Sequence, residues 1–437
     1  MFGTSGIRGP VGETVTAELA LSVARALAED AGRVVVGRDP RESGRILEDA
    51  LAAGLREGGS DVVRLGLAAT PTVARSVGWC SADAGVSITA SHNPPEDNGL
   101  KLWQPSGQAF DESRRERIET RLAEEEFDLA PWDEQGGETR WARARERHVE
   151  AIEAVVASSE LTVAVDLGNG AGGVSIDALQ AIGCTVETLN AQPDGRFPGR
   201  PSEPTAENCA DLQEFVRTSS VDLGIAHDGD ADRLQAVTDA GEWVSGDVLL
   251  AIFAREAASA GDRVAAPVDT SLAVDDAVAE VGAELVRTPV GDVYVAERAA
   301  GASVVFGGEP SGAWIWPNET LCPDGPMAGA KLVELIDRRG PLSTLVDEIE
   351  TYPIRRDSLE TDDKAGAMER VRKAVESSDN EVDTLDGVRV DRGDAWFLIR
   401  ASGTQPLIRV TAEARKPARA DSVFNEARAL VRDALIG

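Results

Sequence analysis

The chain has 437 residues, with 76 Asp and Glu against 44 Lys and Arg and a formal net charge of −32. A 42% share of hydrophobic residues is enough for real cores and excludes global disorder. The length predicts two to four domains, and a polyanion of this kind is excluded as a non-specific nucleic-acid binder. Only five of the cations are Lys, at 101, 331, 364, 373 and 416, which leaves 39 Arg. Acid excess spread along the whole chain fits a surface adapted to high salt better than a single acidic partner-binding face.

The N-terminus, Met1-Phe2-Gly3-Thr4-Ser5-Gly6, lacks the basic region and apolar core of a signal peptide. No apolar run reaches the roughly 20 residues of a membrane span, so no membrane partner and a cytoplasmic location are expected. Helical spacing over 15–30 and 43–58 alternates with strand-like runs at 33–37, 61–67 and 85–89. This alternation predicts βαβ units with mostly parallel sheets. A polar, charge-rich helical stretch at 140–159 reads as a domain junction. A second unit runs through strands at 161–166, 184–189 and 222–227. A third alternates helices at 247–260 and 271–281 with strands at 263–268, 284–287 and 303–307. The tail differs: after a helix at 364–377, neighbouring strands at 388–391, 395–400 and 407–412 lead to a closing helix from 417, an α+β pattern. Cys80, Cys184, Cys209 and Cys322 are far apart, which argues against a disulfide framework or zinc site.

Four segments carry chemistry. Thr89-Ala90-Ser91-His92-Asn93-Pro94 follows a strand; Ser91 is either a nucleophile and phosphoryl carrier or part of a polar turn closed by Asn-Pro. His92 is poorly placed as a base for its own neighbour. Asp228-Gly229-Asp230-Ala231-Asp232-Arg233 sets three carboxylates at alternate positions, where they can converge on a hard cation such as Mg²⁺. Gly307-Gly308-Glu309-Pro310-Ser311-Gly312 offers Glu309 and Ser311 to vicinal hydroxyls, or is only a Gly-rich turn. Arg400-Ala401-Ser402-Gly403-Thr404-Gln405-Pro406, with Arg409 beyond, groups cations and hydroxyls as an anion cradle. A fifth segment, Gly168-Asn169-Gly170-Ala171-Gly172-Gly173, has the spacing of a dinucleotide-binding fingerprint, but it is also an ordinary strand-to-helix turn.

In this order the segments resemble the α-D-phosphohexomutase family, from Phe2-Gly3-Thr4-Ser5-Gly6-Ile7-Arg8-Gly9 to the loop at 400–409. Gly37-Arg38-Asp39-Pro40-Arg41 and Asn98-Gly99-Leu100-Lys101 match as well. The segment Thr288-Pro289-Val290-Gly291-Asp292-Val293-Tyr294-Val295 and the Ser-Gly-Thr loop look most like the phosphoglucosamine mutase branch and its archaeal relatives. With the acidic composition, this suggests a halophilic archaeal source. The resemblance implies three α/β domains with mixed or mostly parallel sheets, at 1–150, 151–245 and 246–352, and a C-terminal α+β domain at 353–437 around a central cleft.

It further implies that Ser91 carries the phosphoryl group, with Lys101 and Arg8 as catalytic partners. Arg233 and His92 would contact the phosphoserine. Asp228, Asp230 and Asp232, with an oxygen of that phosphate, would hold one Mg²⁺ per active site. Glu309 and Ser311 would bind sugar hydroxyls, and Arg400, Ser402, Gly403, Thr404 and Arg409 would hold the phosphate that does not react. The implied reaction interconverts a hexose or hexosamine 6-phosphate and 1-phosphate through a 1,6-bisphosphate, which also serves as activator. Glucosamine phosphate is favoured, with mannose or glucose phosphate as the alternative. Small sugar phosphates are the expected partners of a monomer or homodimer. Two departures bear on sugar preference: Ala313 stands where many members have His, and Gln405 where many have Glu. Two readings of other classes remain, an NAD-dependent oxidoreductase built on 168–173 and a non-catalytic sugar-phosphate binder.

Overall fold

The alternating pattern resolves into four sheets in a computed structural model that describes residues 3, 6–376, 381–402 and 406–436. The first sheet has six strands, in the order Ile7–Pro10, Asp97–Trp103, Ala84–Ile88, Arg33–Arg38, Asp61–Leu67 and Glu138–Arg140. The last four of these pair in parallel, and the first two join antiparallel. The run Val34-Val35-Val36 is fully buried because both faces of the sheet are covered. Val34 and Val36 pack with Leu27, Leu47 and Leu51 from helices Ala17–Ala28 and Gly44–Glu57. Val35 packs with Val73 and Val77 of helix Thr70–Trp79 on the other face.

The second sheet runs Leu234–Val237, Leu223–His227, Thr162–Asp166, Thr185–Leu189, and the third Glu284–Thr288, Arg263–Pro267, Val304–Gly308, Trp314–Ile315. Each is parallel except for one antiparallel edge strand. The two share one hydrophobic core: Val163, Leu223 and Leu234 pack with Leu249, Phe306, Trp314 and Leu332, through helices Gly246–Ala257 and Gly325–Arg339. The fourth sheet is wholly antiparallel, in the order Ile354–Glu360, Leu407–Ala414, Ala395–Ala401, Val388–Asp391, Glu381–Asp383. It packs on helices Lys364–Glu376 and Pro417–Ile436.

The main differences from the sequence reading have local causes. The stretch read as one helix at 140–159 is an edge strand, Glu138–Arg140, followed by a shorter helix, Ala144–Glu153. Strand Asp97–Trp103 begins Asp-Asn-Gly, which disfavours β-structure, and is held by partners on both sides. Helix Gly325–Arg339 opens Gly-Pro, and Asp324 caps it by accepting from the Met327 amide. Among the described residues no helix is long and apolar enough to cross a membrane.

Candidate active site

Ser91 sits where strand Ala84–Ile88 gives way to a loop, with φ +52°, a left-handed conformation that a non-glycine residue seldom adopts. The surrounding bonds hold it there. Its amide donates to Thr89 Oγ1 (2.8 Å), and its carbonyl accepts from Arg41 Nη2 (2.9 Å) and Ser202 Oγ (2.8 Å). Arg41, fully buried, also donates to Asp39 Oδ2 and to the carbonyls of Asn93, Pro94 and Asp97. Burial pushes the Asp39 carboxyl up to about 6 despite the Arg41 charge beside it. Ser91 Oγ donates to Asp228 Oδ2 at 2.6 Å, which joins two motifs 137 positions apart.

The turn after strand Leu223–His227 brings carboxylate oxygens of Asp228, Asp230 and Asp232 within 4.8 Å of one another, all three residues buried. Ala231 at its centre also has positive φ, +56°, and its amide donates to the Asp228 carbonyl. Lys101 Nζ donates to Asp230 Oδ2 (2.7 Å) and Asp232 Oδ2 (2.5 Å), and Thr70 Oγ1 donates to Asp230 Oδ2 (2.6 Å). Burial pushes Asp228 and Asp232 up, and the neighbouring carboxylates add to the rise. Burial would also raise Asp230, but the Lys101 ammonium holds it well below the usual range. Burial opposes the charge on Lys101, yet Asp230 and Asp232 keep it above its ordinary value. Asp230 Oδ1 and Asp232 Oδ1 are buried without a hydrogen-bond partner among the described residues. Two orphaned carboxylate oxygens in an all-oxygen donor set fit a hard divalent cation.

Lys101 and Arg8 reach this turn from the antiparallel strand pair, and Arg8 Nε is likewise buried without a partner among the described residues. Ser91 Oγ and His92 Nδ1 are 3.4 Å apart. Burial, together with Arg233, Arg8 and Lys101, lowers His92 to about 2, so its ring is neutral.

The glycines at 168–173 have a different task from binding a dinucleotide. A Cβ on Gly170 would lie 2.7 Å from the Gly229 carbonyl oxygen, and one on Gly168 2.7 Å from Arg200 Cζ. The Ala171 amide donates to that same Gly229 carbonyl at 2.9 Å. The loop is packed beneath the Asp228–Asp232 turn, and this contact accounts for its glycines. The oxidoreductase reading therefore loses its footing.

The Glu309 loop is anchored to the same turn: the Leu234 amide donates to the Gly312 carbonyl, and Arg233 and Ala313 form an isolated bridge. Glu309 is buried and accepts from the Gly291 amide (2.7 Å) and Ser311 Oγ (3.1 Å). Burial, and then the Asp292 carboxylate, push it up to about 7. From Gly291 a chain of contacts runs to the fourth sheet, because Asp386 accepts from both the Val290 amide and Arg400 Nε. Arg400 lies directly opposite Arg409 on the neighbouring strand. Like charges so placed repel, an arrangement suited to an anion. Ser402 is buried; Gly403 and Thr404, with Gln405, lie outside the described residues.

Four family models cover the chain in order. They are described as phosphoglucomutase/phosphomannomutase alpha/beta/alpha domain I (residues 1–129), domain II (145–241), domain III (245–352) and C-terminal domain (358–430). The chain belongs to the phosphoglucomutase/phosphomannomutase family. The "Probable phosphoglucosamine mutase" of Methanococcoides burtonii is 45% identical over 438 residues, spanning 100% of this chain and 99% of that one. Its counterpart in Methanopyrus kandleri is 45% identical over 442 residues, spanning 99% and 97%. A crystal structure of a phosphoglucomutase/phosphomannomutase family protein from Burkholderia thailandensis superposes with TM-score 0.89 at 28% identity, covering 99% and 98% of the two chains.

Several residues of this family site were not singled out by sequence. Thr70, Arg200 and Ser202 have no motif around them, and their partners lie 160, 27 and 111 positions away. Arg41 and Asp39 stood in a matching segment, but only the fold shows that they hold the Ser91 loop.

Proposed function

We propose that the chain is an Mg²⁺-dependent phosphohexomutase that interconverts glucosamine 6-phosphate and glucosamine 1-phosphate through a phosphoserine at Ser91. The observation that carries this reading is the 2.6 Å contact of Ser91 Oγ with Asp228, inside a cluster of three buried carboxylates bounded by Lys101. Phosphoryl transfer needs chiefly positioning and charge neutralisation. Asp228, Asp230 and Asp232, with an oxygen of the Ser91 phosphate, would hold the cation, whose positive charge would offset that of the transferring group. Arg8 and Arg233 would offset the rest, the buried Arg8 Nε gaining an acceptor in the phosphoryl oxygens. As Ser91 Oγ takes the phosphoryl group its proton would pass to Asp228, to which it donates, while Lys101, an ammonium in this setting, would give a proton to the sugar oxygen that is released; both transfers would reverse in the opposite direction. Glu309 and Ser311 would orient the hydroxyls, while Arg400, Ser402, Gly403, Thr404 and Arg409 hold the far phosphate. A bisphosphate that presents either end to Ser91 needs a far cradle that accepts a 1- or a 6-phosphate, which suits the paired guanidinium groups of Arg400 and Arg409.

Glucosamine is favoured over mannose and glucose by the carboxylate pair Asp292 and Glu309. Burial raises Glu309 and the Asp292 carboxylate adds to the rise; a cationic 2-ammonium group beside the pair would relieve both. The test is a panel of hexose and hexosamine 1- and 6-phosphates, assayed with Mg²⁺ in high KCl on wild type and Ser91→Ala. Glucosamine phosphate should turn over fastest, and the variant should lose at least about 10³-fold. A folded Ser91→Ala enzyme with near-normal turnover would refute the mechanism.

A further inference from the structure

A second concave site lies in the first domain, at the same end of the sheet as Ser91 but displaced toward the far edge. It sits at the C-terminal ends of parallel strands Arg33–Arg38 and Asp61–Leu67 and beside edge strand Glu138–Arg140. The cavity is about 570 Å³, within the range of small-molecule sites. Four guanidinium groups line it, those of Arg38, Arg45, Arg64 and Arg140, against two carboxylates, Glu48 and Asp49.

Those carboxylates are already engaged. Arg38 Nε lies 3.1 Å from Glu48, and Arg64 lies 2.7 Å from Asp49 and 3.0 Å from Glu138 outside the lining. Arg45 and Arg140 have no carboxylate within 4.0 Å among the described residues. In a chain of net charge −32, two uncompensated guanidinium groups sharing one cavity with two more is a local reversal of sign. The remaining wall is apolar. Leu67 is 43% exposed, and Trp141, partly exposed, is fixed from behind by an edge-to-face contact with Trp79 (centroids 6.2 Å, 76°). Guanidinium forks match phosphate oxygens, and an indole face matches a planar ring.

We propose that this cavity binds a nucleoside di- or triphosphate, its phosphates on Arg45 and Arg140 and its base against Trp141. The experiment is calorimetric titration of UDP, ATP and pyrophosphate into wild type, Arg45→Gln/Arg140→Gln and Trp141→Ala, with thermal melting to confirm folding. The expected result is nucleotide binding that weakens at least about tenfold in the double variant and severalfold in Trp141→Ala, with pyrophosphate weaker than either nucleotide. None of these side chains belongs to the Ser91 site, so mutase turnover should persist in both variants. Absence of binding at millimolar nucleotide would overturn the proposal, as would equal affinity in wild type and double variant, which would place the nucleotide in the sugar-phosphate site. Pyrophosphate binding as tight as UDP, with Trp141→Ala unchanged, would overturn the assignment to a nucleotide in favour of a simple polyanion.

Discussion

Arg41→Lys isolates the positioning of Ser91 from its chemistry. The guanidinium is fully buried and donates to five acceptors, namely Asp39 Oδ2 and the carbonyls of Ser91, Asn93, Pro94 and Asp97. It also lies over the Phe197 ring, 4.9 Å from the centroid. A lysine keeps the charge but has three donors on one nitrogen, so at least two of those five hydrogen bonds are lost, although the Ser91 carbonyl keeps Ser202 and Asp39 Oδ2 keeps Thr89. At about 1–3 kcal/mol for each charge-assisted bond lost the cost is about 2–6 kcal/mol. That is a large fraction of the roughly 5–15 kcal/mol that holds a domain together. Arg41 touches only Asp39, loop carbonyls and a ring, so the effect on turnover should come through displacement of Ser91, where a shift of about 1 Å can cost about 10²-fold. Urea unfolding and steady-state kinetics check both halves: a lowered midpoint, kcat down about 10²-fold and KM little changed. A variant with wild-type midpoint and kcat within about threefold would refute the argument.

Glu309, raised to about 7 in the fold from an ordinary 4.5, keeps a proton that the unfolded chain releases. Its contribution to stability is therefore complete below about pH 4.5 and is lost as pH rises through about 7. Glu309→Gln should melt higher than wild type at pH 8 by up to roughly 3 kcal/mol in free energy, the gap closing below pH 5; parallel pH profiles would contradict this. Glu413, fully buried, accepts from Ser271 Oγ, the Leu272 amide and Trp396 Nε1, tying the fourth sheet to the start of helix Leu272–Glu280. Glu413→Gln loses charge at a helix N-terminus and turns an amide donor toward other donors, so hydrogen exchange at 272–274 should accelerate about tenfold, and unchanged exchange would sink this reading. With a net charge of −32, melting temperature should rise between about 0.01 and 1 M KCl as the screening length falls from about 30 to 3 Å; a flat or falling trend would remove the high-salt interpretation.

The fold was legible where burial on both faces writes itself into sequence, as in Val34-Val35-Val36. It was illegible where pairing overrides composition, as in the strand that begins Asp97-Asn98-Gly99 and carries Lys101 into the site. The Asp228–Asp232 turn was readable because three like charges at alternate positions ask for a counter-ion. Thr70 and Ser202 were not, since their meaning lies in a partner far along the chain. The glycines at 168–173 show the opposite failure: a spacing with a familiar chemical meaning serves here to let two loops touch. Arg45 and Arg140 look like any other arginines in a chain with 39 of them, until the fold sets both in one cavity.

The Ser91 carbonyl is gripped by Arg41 from the first sheet's loops and by Ser202 from the segment beside the second, while the Thr70 amide donates to the Asp230 carbonyl across the same seam. The groups proposed to react thus belong to one unit whose parts cannot drift separately. The loop at 309–313 meets that unit at the edge of the second sheet, through the Leu234 amide and the Arg233–Ala313 bridge, and among the described residues Arg400 is linked to Val290 through Asp386. With Glu309 and Ser311 on the sugar as proposed, substitution in the outer segments should change preference among sugars while the Ser91 geometry is kept. Grafting 288–313 between relatives of different specificity should move selectivity and leave the speed of the phosphoryl step intact.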